Sequence, residues 1–243
     1  MKIDSFDTNS WCFCLYNEAE KIANKYNLLN LKNEDVAKYE DAEFYIKERI
    51  TQYKINVLCP QFYDKSVKMK ILGHHYTKLI NREIIESQGL KINSWDNYSE
   101  SMKKTLENYN VSKSDIQKAL FCLEKWYKQK YADVDGTNGG HINFTTYEDE
   151  WFKEQYCKII GGELAEELRT SCPPIYDLLR DNGTAYRLDF LVTVDDMDDP
   201  EAMSHAMLVS ILSKIIWDKD IPPECSRIIK HNIHPEDISI IPI

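Results

Sequence analysis

Asp195, Asp196, Asp198 and Asp199 place four carboxylates within five residues, and Asp189 stands six residues before the first of them. Carboxylates gathered at a strand end are the usual oxygen ligands of Mg²⁺ or Mn²⁺. If residues 189 and 195 belong to one continuous strand, their side chains share a face, because strand side chains alternate with period two. Glu148 is the neighbour that would complete a trio. Asp189, Asp195 and Glu148 together define one reading of the chain, a divalent-metal-dependent hydrolase or phosphotransfer enzyme.

The same carboxylates also have a plainer chemistry. Asp199 precedes Pro200, which suits an N-cap followed by the first helical residue. Asp195, Asp196 and Asp198 are then an exposed turn, and exposed acids steer basic partners. Tyr147, Glu148, Asp149 and Glu150 form a second acidic stretch beside aromatic residues, a mixture that suits protein interfaces. These seven residues define the other reading, an acidic protein-binding surface that needs no catalytic group, no metal and no cofactor. Trp151 and Phe152, next in the chain, are expected in the core.

Charge is concentrated in one stretch. Residues 131–199 hold 16 acidic and 5 basic side chains, a formal −11, while residues 1–130 hold 18 acidic and 21 basic. The net charge of −10 argues against direct nucleic-acid binding, which needs a basic surface against phosphates.

Other chemistry is weaker. The run Asp133 to His141 has three glycines but no Gly-Lys-Ser/Thr, and it lacks the glycine and glutamate spacing of a calcium loop. His74 and His75 are adjacent, so on a helix they point about 100° apart and cannot chelate together. No His-Glu-x-x-His spacing occurs. Ser204-His205 is an adjacency and not a triad. Seven cysteines without a dense framework read as free thiols in a reducing compartment. Cys12 and Cys14 diverge by about 200° if both are helical.

These residues must be carried by something, and the periodicities say what. Helices are predicted over 9–26, 33–54 with Asn33 as cap, 64–87, 95–109 and from a Ser112 cap to about 130. Thr145 and Glu148 have capping-box spacing before a helix through Ile159. Further helices are predicted over 175–180, from Pro200 to Trp217, and over 220–230. Val67, Ile71, His75 and Leu79 set the third of these. Met203, Met207, Ile211 and Ile215 set the core face of the long late one.

Residues 186–194 alternate apolar and polar and read as a strand, with 141–144 or 238–243 as its partner. The chain is therefore predicted to be mostly α, an irregular multi-helix globular domain with a minor β element near residues 186–194. It reads as one domain over 1–243, with the glycine-rich loop at 132–141 as the place where a subdomain boundary would fall. The 43% hydrophobic and 29% charged composition is that of a folded domain. No stretch is long and apolar enough for a membrane span, and the N-terminus has no signal-peptide pattern, so the expected location is cytoplasmic.

The function predicted from these residues is an acidic cytoplasmic protein-binding protein, for instance an immunity-type inhibitor that blocks a basic toxin or nucleic-acid-binding partner. Metal-dependent hydrolysis or phosphotransfer is the alternative. Nothing in the sequence sets an oligomeric state.

Overall fold

The computed structural model describes the chain except for residues 1, 4–11, 51–53, 132–140, 149, 223–225 and 230. The glycine-rich loop up to residue 140, Asp149, Cys225 and the start of the helix expected from Asn9 lie outside the described residues. In chain order the elements begin with β1 (Lys2–Ile3), α1 (Phe13–Lys25), a 3-10 turn (Leu28–Asn33), α2 (Tyr39–Arg49), α3 (Ile55–Leu58), α4 (Pro60–Ser66) and β2 (Lys70–Leu79). Next come α5 (Glu83–Gln88), α6 (Trp95–Asn108), α7 (Lys113–Tyr131), β3 (Ile142–Thr145), α8 (Glu150–Tyr156), α9 (Gly162–Ala165), α10 (Leu168–Ser171) and α11 (Pro173–Asp181). The last are β4 (Thr184–Thr193), a 3-10 turn (Val194–Asp196), α12 (Pro200–Trp217), β5 (Ser226–Ile229) and β6 (Ile238–Pro242).

The chain is mostly α with a small sheet, as predicted. The strands hydrogen-bond in the order β5-β3-β2-β4-β6, and β1 runs parallel to β2. β6 is the antiparallel partner of β4, with Leu188 opposite Ile240 and Asp189 opposite Ser239. Tyr186, Leu188, Phe190 and Val192 are buried on one face of β4, which is the alternation seen in the sequence.

The fold divides into two compact units, each assembled from separated stretches of chain. The first comprises Met1–Gly73, Phe144–Glu148 and Leu191–Ile228. Its centre is α12, surrounded by α1, α2, α3 and α4. Asp199 caps α12 by accepting a hydrogen bond from the Ala202 amide at 2.8 Å, and Pro200 starts it. Met203, Met207 and Ile211 are buried as expected, but so is every residue from Ala206 to Ser213, so the helix is buried almost all round. Each fully buried Leu, Ile, Val or Met side chain contributes about 1.5–3 kcal/mol. Trp217 donates its indole N–H to the Leu31 carbonyl at 2.7 Å and ties the end of α12 to the first 3-10 turn.

The second unit comprises His74–Asn143, Asp149–Phe190 and Ile229–Ile243. Its core is an apolar cluster shared by α6 (Met102, Leu106), α7 (Ile116, Leu123) and α11 (Ile175, Leu179). Ser112 caps α7, accepting from the Asp115 amide at 3.2 Å and donating to the Asp115 carboxylate at 2.7 Å. Gly161 turns the chain between α8 and α9 at φ +91°, and a Cβ there would stand 2.4 Å from Met102 Cε.

Several expectations are corrected. Residues 70–79 form the strand β2, not the middle of a helix over 64–87, because the four-residue spacing of Val67, Ile71, His75 and Leu79 keeps one face in a strand as well as in a helix. The helix expected from Asn33 starts at Tyr39, where Asp41 Oδ2 accepts from the Ala37 and Lys38 amides at 3.1 and 3.2 Å. Thr145 ends β3 and donates to the Tyr147 carbonyl at 2.5 Å, so the capping box with Glu148 does not form and α8 starts at Glu150. Trp151 is 58% exposed, not core. Within 220–230, residues Ser226–Ile229 form a strand in place of the expected helix.

Candidate functional site

The acidic residues of the first unit sit on a locked turn. Val194 and Met197 are buried, while Asp195, Asp196 and Asp198 between and beside them are exposed. The turn is held from beneath by backbone: the Val194 amide donates to the Met69 carbonyl and the Asp195 amide to the Val67 carbonyl, each at 3.0 Å. Asp195 and Asp196 make no ion pair among the described residues. Tyr147 and Glu148 belong to the same unit, Tyr147 half-buried and Glu148 exposed. Glu150 belongs to the second unit, exposed in the first turn of α8 and 3.7 Å from Lys153 Nζ.

The strand expected to carry both Asp189 and Asp195 stops at Thr193, and residues 194–196 turn as a 3-10 helix. The shared face proposed for the two aspartates is therefore lost at the turn. Asp189 belongs to the second unit, Asp195 and Glu148 to the first. Among the described residues no group of three or more His, Cys, Asp or Glu side chains is placed to hold a metal ion.

Asp189 has a different set of neighbours, which the sequence did not disclose. On β4 it accepts two hydrogen bonds from Arg187, Nε to Oδ1 at 2.8 Å and Nη2 to Oδ2 at 3.1 Å. On β2 His74 Nδ1 lies 2.7 Å from Asp189 Oδ1. Facing a carboxylate, Nδ1 is the donor. His74 is 2% exposed, and its Nε2 has no hydrogen-bond partner among the described residues. Burial would raise the Asp189 pKa, but the hydrogen bonds from His74 and Arg187 outweigh it and hold the carboxyl below its ordinary value.

This resembles the histidine–carboxylate half of a proton-transfer site. Ser239 faces Asp189 across the β4–β6 pair. It lies on the far side of β4 from His74, two strand spacings or about 10 Å away, so it cannot be the nucleophile of a triad. His75, the adjacent residue, points to the other face of β2, where its Nδ1 is 2.7 Å from the Asn143 carbonyl oxygen. The adjacent histidines diverge because they sit on a strand, by more than the helical reading implied.

In the first unit Glu18 is 7% exposed and accepts from Lys65 at 2.7 Å and Lys21 at 3.0 Å. The Lys65 hydrogen bond, followed by that of Lys21, holds its carboxyl below the usual range. His205 Nε2 is 3.5 Å from Glu43 Oε1, too long to satisfy that nitrogen. It borders a cavity of about 10 Å³ with Cys59 and Leu208, at the lower limit of what a water molecule fills. In the second unit a wide groove of about 480 Å³ runs beside β6, lined by Arg82, Glu86 and Glu236.

The expectation of free thiols holds for Cys59, Cys122, Cys157 and Cys172. Cys12 and Cys14 are instead joined by a disulfide. Cys12 is the N-cap of α1, with extended backbone at φ −70° and ψ 127°, so the helical divergence of the two side chains does not apply. No helix among the described residues is long and apolar enough to cross a membrane. Set against known proteins, the chain matches no family model, no curated protein and no solved structure.

Proposed function

We propose that the chain is a protein-binding module whose turn at Val194–Asp196, continued through Asp198, receives a basic segment of a partner protein. The observation that carries this is the locked turn: Val194 and Met197 are anchored in the core, and Asp195, Asp196 and Asp198 point to solvent. Carboxylates fixed on a rigid turn meet a cation with little loss of side-chain freedom, and exposed acids add steering at distance. Tyr147 and Glu148 of the same unit supply a further aromatic and a further acidic group. Asp149 completes the second stretch in sequence.

A basic toxin or nucleic-acid-binding protein is the partner class that suits these residues. The carboxylates would stand where a phosphate backbone otherwise binds, as an inhibitor of the immunity type requires. The alternative, a metal-dependent hydrolase using Asp189, Asp195 and Glu148, requires Asp189 to exchange Arg187 and His74 for a cation.

The test compares wild type with a variant carrying Asp195→Asn, Asp196→Asn and Asp198→Asn. Both are used as bait in native lysate and titrated with an arginine-rich peptide at low and at high salt. The expected result is a stoichiometric basic partner and a peptide affinity that falls about tenfold or more in the variant, with both interactions weakened by salt. Equal capture and equal affinity for the two proteins would overturn the proposal.

A further inference from the structure

The bridge between Cys12 and Cys14 closes a loop of only three residues, counting both cysteines. A disulfide stabilises a fold chiefly by restricting the unfolded chain, and that effect grows with loop length. So short a bridge does little for stability, and its presence asks for another reason. Its position supplies one. Cys12 is the N-cap of the 13-residue helix α1, and its sulfur accepts a hydrogen bond from the Cys14 amide at 3.3 Å. No acidic residue occupies the first turn of α1, so no side chain there offsets the positive end of the helix dipole. Phe13, between the two cysteines, is 77% exposed. Both cysteines are part-exposed.

Cys59, Cys122, Cys157 and Cys172 are free and form no pair. Burial pushes the thiols of Cys59, Cys157 and Cys172 up, toward the protonated and unreactive form.

The geometry points to Cys12 and Cys14 as a redox-active dithiol–disulfide pair that exchanges electrons with an exposed disulfide or dithiol of a partner, seated against Phe13. In the reducing direction a thiolate of an external dithiol attacks Cys14 Sγ. The Sγ–Sγ bond breaks, and Cys12 leaves as a thiolate stabilised by the Cys14 amide and the helix terminus. The second thiol of the reductant then displaces Cys14 from the mixed disulfide and closes its own disulfide. Two electrons and two protons have passed from the dithiol to Cys12 and Cys14. Reduction of a substrate disulfide takes a different first step: the Cys12 thiolate attacks it and expels one substrate thiolate, and the Cys14 thiolate then attacks Cys12 Sγ, expels the other and re-forms the bridge. Cys12 is the nucleophile because a helix N-terminus favours its thiolate form.

The experiment uses the full chain. It is equilibrated over a series of reduced-to-oxidised glutathione ratios, quenched in acid, alkylated and mapped by mass spectrometry. Catalysis is read as dithiothreitol-driven reduction of insulin disulfides, for wild type and for Cys14→Ser. The expected result is that residues 12 and 14 convert together with a two-electron dependence while the circular dichroism spectrum stays constant. Insulin reduction should run about tenfold faster with wild type than with Cys14→Ser, and that variant should carry glutathione on Cys12. A pair that remains joined, or remains free, at every ratio overturns the proposal without reference to any variant. So does a pair that converts but reduces insulin no faster than Cys14→Ser.

Discussion

In the first unit the buried helix α12 carries three serines, and each hydroxyl donates to a carbonyl of its own helix four residues back: Ser204 to Pro200, Ser210 to Ala206 and Ser213 to Val209, at 2.7 to 3.0 Å. In the second unit a polar group bridges two strands, His74 from β2 bonding Asp189 of β4, which also accepts from Arg187. A hydroxyl that leans on its own helix is locally complete, so α12 can be surrounded by apolar side chains at little cost. The His74–Asp189–Arg187 group forms only when β2 and β4 are in register. It therefore specifies that pairing, and removing Asp189 takes away the acceptor that the other two share.

The sharpest way to break this comparison is to put a charge where the first unit has no provision for one. Val209→Asp buries a carboxylate in α12, where Val209 is fully enclosed. The penalty of several kcal/mol is a large part of the stability of an ordinary domain, so the expected outcome is loss of soluble, folded protein on expression. Gln117→Asp, on the exposed face of α7, should change stability by less than about 0.5 kcal/mol. Equal behaviour of the two variants would show that α12 is not enclosed.

Next in size is Asp189→Ala. It removes the carboxylate that accepts from both Arg187 and His74 and should cost about 3 kcal/mol in chemical denaturation. Ser213→Ala, which removes a hydroxyl bonded only within its helix, should cost within about 1 kcal/mol. Because the folded Asp189 carboxyl is held below its ordinary value, its contribution is present above about pH 4 and is lost as pH falls through the folded value. The acid limb of wild-type stability should accordingly be shallower in Asp189→Asn.

The smallest effect is a slope. His75 in the second unit and His205 in the first are both held below the ordinary histidine range by burial, opposed by the Asn143 carbonyl and by Glu43 respectively. Above about pH 6.5 each is neutral whether folded or unfolded. As pH falls below that, the unfolded chain takes up protons that the folded chain refuses, and stability drops by at most about 1.4 kcal/mol per pH unit for each histidine. His205→Gln should remove one share and leave the other, read from urea midpoints between about pH 5 and 7.

What the sequence disclosed follows from range. The Ser112 cap, the Asp199-Pro200 start and the alternation of β4 are each set by residues within a few positions of one another, and each is found in the fold. β2 was hidden because an i, i+4 pattern belongs to both periodicities, and its partners lie far away in sequence. The acidic turn was visible as a cluster. That it leaves the line of β4 was not, because the turn is set by the Val67 and Met69 carbonyls, more than a hundred residues earlier. His74 and Asp189 are 115 residues apart, and nothing local to either announces the other. Arg187 and Asp189, two apart on one strand face, were the only legible part of that group.

The position of α12 along the chain also bears on synthesis. Helices α1 to α4 end at Ser66, and the helix they enclose begins at Pro200, 134 positions later (200 − 66). As the polypeptide emerges from the ribosome, the apolar stripe of α1 (Leu15, Ala19, Ile22) and that of α2 (Ala42, Ile46) lack the helix at their centre until nearly the whole length has been made. Contacts of such long sequence separation slow folding and leave hydrophobic surface open to aggregation or to chaperones in the interval. A nascent fragment ending before α12 would carry the shell of the first unit without its centre.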